Sequence, residues 1–175
     1  MKIETLKRDI RDNFTESSFS NCSYDDNNDV VLINSEMGTF DFDEICSEIV
    51  GEMEGNCITP TSLDSLFIQV NGISFIEFKN TLWGRIKKRD LRNKIYDSLA
   101  LIISRYDLSK SDLSNVKIYL IHKTDEDKTP THQFTNGTCP REFRYIQETS
   151  GVKIMKYDAQ TFEKYITSHN KLPEK

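Results

Sequence analysis

No hydrophobic run in this 175-residue chain is long enough to span a bilayer. The longest, such as Leu99-Ala100-Leu101-Ile102-Ile103, stop far short of the ~20 apolar residues a membrane helix needs. Met1 to Asp9 holds no apolar stretch of the kind a secretory leader carries, so a cytoplasmic setting with reduced thiols is expected. Proline and glycine are scarce, 4 and 7 residues, which excludes collagen-like and linker-like chains. The 4 cysteines (Cys22, Cys46, Cys57, Cys139) include no C-x-x-C pair and the 3 histidines are scattered, so no zinc motif is present. His132 and Cys139 share a Thr/Asn/Gly-rich stretch and could meet a metal, but a plain polar loop is the better reading. Asn21-Cys22-Ser23 and Asn136-Gly137-Thr138 have the form of glycosylation sequons, which in a cytoplasmic chain mark only polar loops. Basic charge is also short, 23 Lys and Arg against 28 Asp and Glu, and the net charge of −5 argues against a chain that coats nucleic acid.

Core-forming material is present: 37% of the residues are hydrophobic, with ten Phe and seven Tyr. The length suits one domain over residues 1–175, and neither a repeat nor a linker divides it. Ile3, Leu6, Ile10 and Phe14 recur at helical spacing. Residues 15–29, rich in Ser, Asn and Asp, read as a loop, and Val30-Val31-Leu32-Ile33 as a short strand. Asp41 or Asp43 can cap a helix running to about Glu54, with Phe42, Ile45, Ile49 and Met53 as its buried stripe and Gly55-Asn56 as its stop. A long helix is expected from Arg85 to about Tyr106 and a strand over Val116–His122. The polar 124–151 segment holds at most a helical turn near Phe143. A strand over Val152–Tyr157 then leads to a last helix capped by Asp158.

Leu66-Phe67-Ile68-Gln69-Val70 and Ile73-Ser74-Phe75-Ile76-Glu77-Phe78 flank Asn71-Gly72, the signature of a type I′ hairpin. That turn pairs Val70 with Ile73, Ile68 with Phe75, Leu66 with Glu77 and Asp64 with Lys79. Paired residues share a face, so Asp64, Glu77 and Lys79 project together at the open end of an otherwise apolar surface. Such groups are expensive there unless paired or bound. Two carboxylates make an oxygen-rich site for Mg²⁺ or Mn²⁺, and a lysine beside them can orient a water and stabilise charge on a phosphate. The blander reading is a solvated face with an Asp64–Lys79 ion pair of little energetic weight.

Asp64, followed after twelve residues by Glu77-Phe78-Lys79 in a hydrophobic strand, resembles the PD-(D/E)xK nuclease superfamily. The element order over about 41–122 is similar too: an acidic helix, the Asp strand, the Glu-x-Lys strand, a helix and a further strand. Leu63 stands where the name-giving proline would be, and the nearest proline is Pro60. The resemblance implies an α/β fold with a restriction-endonuclease-like core, a mixed β-sheet whose central antiparallel hairpin is flanked by helices. It further implies that Asp64 and Glu77 hold Mg²⁺ or Mn²⁺ and that Lys79 assists the attacking water. A glutamate of the preceding helix completes such sites, with Glu48 the first choice and Glu52 the alternative. The family core has three antiparallel strands before its second helix, so a very short strand ahead of Asp64, or Val30–Ile33, must supply the first. Glu126-Asp127-Lys128 repeats the tripeptide in a polar loop where no site is expected.

Residues 85–94 hold six basic side chains (Arg85, Lys87, Lys88, Arg89, Arg92, Lys94) against Asp90, a net of +5 that leaves −10 for the remaining chain. These six are candidate phosphate contacts, with a solvated helix face as the alternative. Trp83 could stack on a base but suits a core anchor better. The expected function is a metal-dependent nuclease, endo- or exo-acting, hydrolysing phosphodiester bonds in DNA rather than RNA. The alternative is a catalytically inactive nuclease-like fold serving as a nucleic-acid or protein binding module. No membrane partner is expected, and a homodimer stays open.

Overall fold

The computed structural model describes residues 2–53, 58–125 and 136–173. Helix α1 (Lys2–Asn13) is followed by β1 (Ser17–Ser18), α2 (Phe19–Cys22), β2 (Tyr24–Asp25), β3 (Val30–Val31), β4 (Gly38–Asp41) and α3 (Phe42–Gly51). Strands β5 (Ser65–Gln69) and β6 (Gly72–Lys79) lead through a 3-10 turn (Trp83–Arg85) to α4 (Lys88–Tyr106). Then come α5 (Lys110–Leu113), β7 (Val116–His122), a 3-10 turn (Arg141–Phe143), α6 (Arg144–Ser150), β8 (Lys153–Asp158) and α7 (Ala159–His169). The protein is a mixed α/β fold: six strands in the order β1-β4-β5-β6-β7-β8 form one sheet flanked by helices. Neighbours from β1 to β6 are antiparallel, and β6, β7 and β8 are parallel. Among the described residues no helix is long and apolar enough to cross a membrane.

The central strands are buried on both faces, as parallel pairing demands. Leu66, Ile73, Phe75, Ile118, Leu120 and Ile154 face a cluster built with α1, α3, α4 and α6. Ile76, Phe78, Tyr119, Ile121, Met155 and Tyr157 face a second cluster with Phe19, Ile33, Phe162 and Ile166. Period-2 alternation thus assigns every side chain of β6 to one layer or the other.

The hairpin register differs from the expected one by two residues. Gln69 pairs with Gly72, Ile68 with Ile73 and Leu66 with Phe75, so Val70 and Asn71 form the turn. Neither turn residue adopts positive φ, and the turn is not type I′. Gly72 serves a close approach instead: a Cβ there would lie 2.0 Å from the Asn115 carbonyl oxygen, which accepts the Ile73 N–H at 3.2 Å. Lys7 Nζ donates to the Val70 carbonyl at 2.8 Å, tying α1 to the turn. A shift of two keeps every side chain on its face. Asp64, Glu77 and Lys79 therefore still share one, but the ladder, continued by one rung, sets Asp64 opposite Glu77 rather than Lys79.

The strand that flanks β5 on the side away from β6 is neither Val30–Ile33 nor a segment just before Asp64. It is β4, which precedes α3 and pairs Phe40 with Leu66, while Val30–Val31 pairs with Tyr24–Asp25 in a separate ribbon. Four residues without an apolar run give little sequence signal. Residues 15–29, expected as loop, contain β1, α2 and β2. Asp41 is the cap of α3, accepting the Glu44 N–H at 3.1 Å; Met53 is exposed, and the Gly55-Asn56 stop lies outside the described residues. Helix α4 begins at Lys88 because residues 83–85 form the 3-10 turn. Strand β8 and the Asp158-capped α7 match expectation, and the Phe143 turn continues into α6.

Candidate carboxylate–lysine site

Strand β6 carries Glu77 and Lys79 on the face that packs against α3 and α4. Asp64 stands just before β5, where its side-chain Oδ2 accepts the Phe78 N–H at 2.6 Å. The Asp64 carbonyl accepts the Phe42 N–H at 3.2 Å, which brings the start of α3 beside it. Glu77 is wholly buried, whereas Lys79 keeps 35% of its side chain exposed.

The cations close the arrangement. Lys79 Nζ lies 2.5 Å from Glu77 Oε1. Lys94 of α4 reaches Asp64 Oδ1 at 2.9 Å and Glu77 at 3.0 Å from Oε1 and 3.1 Å from Oε2. Glu77 Oε1 touches both ammonium groups without accepting a hydrogen bond of good geometry. Two carboxyl groups thus face two ammoniums. Burial, then the charge of Asp64, push the Glu77 carboxyl up to about 8, against the pull of Lys79 and Lys94. Burial works to lower Lys94, but Glu77 and Asp64 outweigh it and hold the ammonium above its ordinary range.

Sequence reasoning missed two members of this cluster's surroundings. Lys94, expected to contact phosphate, is turned inward as the shared counter-ion. It sits within the buried stripe Leu91, Ile95, Ser98 and Ile102, and that spacing was the available signal. Asp43, considered only as a cap, hydrogen-bonds Ser62 Oγ; burial raises its carboxyl, Ser62 opposes this, and Asp64 and Lys94 then act with opposite signs. Glu48 does not join the site: it is exposed, and among the described residues no group of three or more His, Cys, Asp or Glu is placed to hold a metal. It lies six residues, ~9 Å, along α3 from Phe42, the helix end that meets Asp64. Glu52 pairs instead with Arg105 at 2.7 Å.

Of the basic segment, Arg85, Lys87, Arg89 and Arg92 are exposed. Lys88 is held locally, donating to the Trp83 and Ile86 carbonyls with its Nζ 4.0 Å from the Trp83 ring centre. Trp83 packs partly buried against the core, its ring 5.6 Å from that of His122. Cys22, Cys46 and Cys139 are free thiols, each raised chiefly by burial and so poor nucleophiles. Cys57, His132 and Glu126-Asp127-Lys128 lie outside the described residues.

Chemically, Asp64 and Glu77 fit a hard divalent cation, which Mg²⁺ accepts from one or two carboxylates with water completing its shell. The buried Glu77 Oε1, without a well-formed hydrogen bond, is the atom such a cation would satisfy. The fold and this geometry define a mixed α/β protein with a buried carboxylate–lysine centre. No family model, curated protein or solved structure matches the chain.

Proposed function

We propose that the chain is a metal-dependent nuclease with a restriction-endonuclease-like core, hydrolysing phosphodiester bonds, with DNA the substrate class the resemblance implies. The observation that carries the reading is Asp64 facing Glu77 on one sheet face, with Lys79 Nζ 2.5 Å from Glu77 at the solvent-reaching end. The antiparallel β4-β5-β6 set ahead of α4, with β7 parallel beyond it, supports the same reading.

Each residue has a defined task. The Phe78 N–H fixes one Asp64 oxygen and leaves Oδ1 directed to the shared cation position. Glu77 supplies the opposing oxygens from a water-poor setting. When bound, Mg²⁺ or Mn²⁺ would supply Lewis-acid activation of water and of the scissile phosphate. Lys79, part exposed, holds the attacking water and stabilises negative charge on the phosphate. Arg85, Lys87, Arg89 and Arg92 supply salt-dependent phosphate contacts without sequence preference.

A second reading rests on Lys94. Its ammonium already fills the gap between both carboxyl groups, as suits a nuclease-like binding module without catalysis. The deciding experiment incubates purified protein with single-stranded, duplex and branched DNA and with RNA, in Mg²⁺, Mn²⁺ or EDTA. Metal-dependent cleavage that is lost in Lys79→Ala supports the nuclease. Binding without cleavage by wild type supports the module.

A further inference from the structure

We infer that Lys94 is a tethered competitor for the divalent cation: its ammonium fills the position between Asp64 and Glu77 and must withdraw before a metal binds. The inference rests on the carboxylate site proposed above, and it adds a built-in control over when that site is loaded.

Three contacts locate the competitor. Lys94 Nζ lies 2.9 Å from Asp64 Oδ1 and 3.0 and 3.1 Å from the two Glu77 oxygens, so one cation bridges both carboxylates. A second cation cannot share that volume, on steric as well as Coulombic grounds. The two lysines differ in consequence. Lys79 contacts Glu77 alone, from the rim. Lys94 touches both carboxylates, and 23% of its side chain is exposed, which gives its four-carbon stem a way to solvent. Glu77, with none of its side chain exposed, has no such freedom, so exchange proceeds by movement of Lys94.

Without metal, the Lys94 ammonium therefore occupies the gap between the two carboxyl groups and shields each from the other. Loading the site means replacing one internal charge by a divalent one and releasing the Lys94 ammonium to water. Apparent affinity is reduced by the fraction of molecules in which Lys94 is out. A protein built this way responds to free divalent-cation concentration instead of holding metal permanently.

The test is a Mn²⁺ titration of the whole chain, followed by electron paramagnetic resonance of free Mn²⁺, on wild type, Lys94→Gln and the double variant Lys94→Gln/Asp64→Asn. The expected result is one site that tightens at least about tenfold in Lys94→Gln and is lost in the double variant. Equal affinity in wild type and Lys94→Gln overturns the competitor and leaves the nuclease reading intact. Absence of binding in both overturns the competitor and the metal site together. Should Lys94→Gln not fold, the Lys94 side-chain ¹³Cε resonance of wild type is followed during Mg²⁺ titration. A shift that saturates with the backbone changes at Asp64 and Glu77 supports displacement; an unmoved Lys94 resonance overturns it.

Discussion

Asp64 and Lys94, thirty residues apart in the chain, meet at 2.9 Å across the gap between the start of β5 and helix α4. The same ammonium reaches the wholly buried Glu77, so one side chain decides how the two carboxylates coexist. Removing one partner of a buried ion pair leaves the other charge uncompensated. Lys94→Gln is expected to destabilise the metal-free protein by about 3 kcal/mol. Urea unfolding checks this, and adding Asp64→Asn should return much of the loss. Additive effects in that double-mutant cycle would show that the two residues are uncoupled.

Glu77 also sets a pH dependence. Its carboxyl is raised from 4.5 to about 8, chiefly by burial, so between these values the folded chain keeps a proton that the unfolded chain has released. Stability then falls as pH rises through this window, by up to about 1.4 kcal/mol per unit, and levels off above it. Glu77→Gln lacks the titration. Melting temperatures of the two proteins without metal should therefore shift in the variant's favour from pH 5 to pH 8, whereas parallel curves would contradict the assignment.

Gly72 and Gly51 give opposite expectations. An alanine at 72 would bring Cβ to 2.0 Å from the Asn115 carbonyl oxygen, between two backbones, and should cost about 1–3 kcal/mol. Nothing lies within 4 Å of a Cβ at Gly51, the last residue of α3, and alanine there should stabilise by about 0.5–1 kcal/mol. Chemical denaturation of both variants checks the pair.

Asp158 links the last strand to the last helix. Burial alone would raise its carboxyl, but hydrogen bonds from the Thr161 N–H, Asn136, Thr161 Oγ1 and Thr124 outweigh it and lower the group from 3.8. A depressed acid contributes stability above its unfolded pKa and loses it as pH falls through the folded one. Asp158→Ala should cost about 1 kcal/mol at neutral pH, with the difference shrinking below pH 4. Thermal melts at both pH values would show it.

The sequence made the layering legible because period-2 alternation survives an error of two in register. Asp64, Glu77 and Lys79 therefore come together even though their partners were misassigned. The turn departs from expectation because Asn-Gly signals positive φ, while Gly72 answers to Asn115, a constraint from a distant segment. Strand β4 was too short to register, and without it the start of α3 could not be placed beside Asp64. That placement favours Asp43 near the site over Glu48. The charge of its neighbours points Lys94 toward phosphate, whereas its position in the apolar stripe turns it inward.

The most direct test of the nuclease proposal is the rate of DNA cleavage in Mn²⁺ by wild type and by Asp64→Asn, with folding of both verified by circular dichroism. Metal-dependent cleavage by wild type, reduced at least about a hundredfold in the variant, is the predicted result. Equal cleavage by the two proteins, or none by wild type on any nucleic acid, would contradict it.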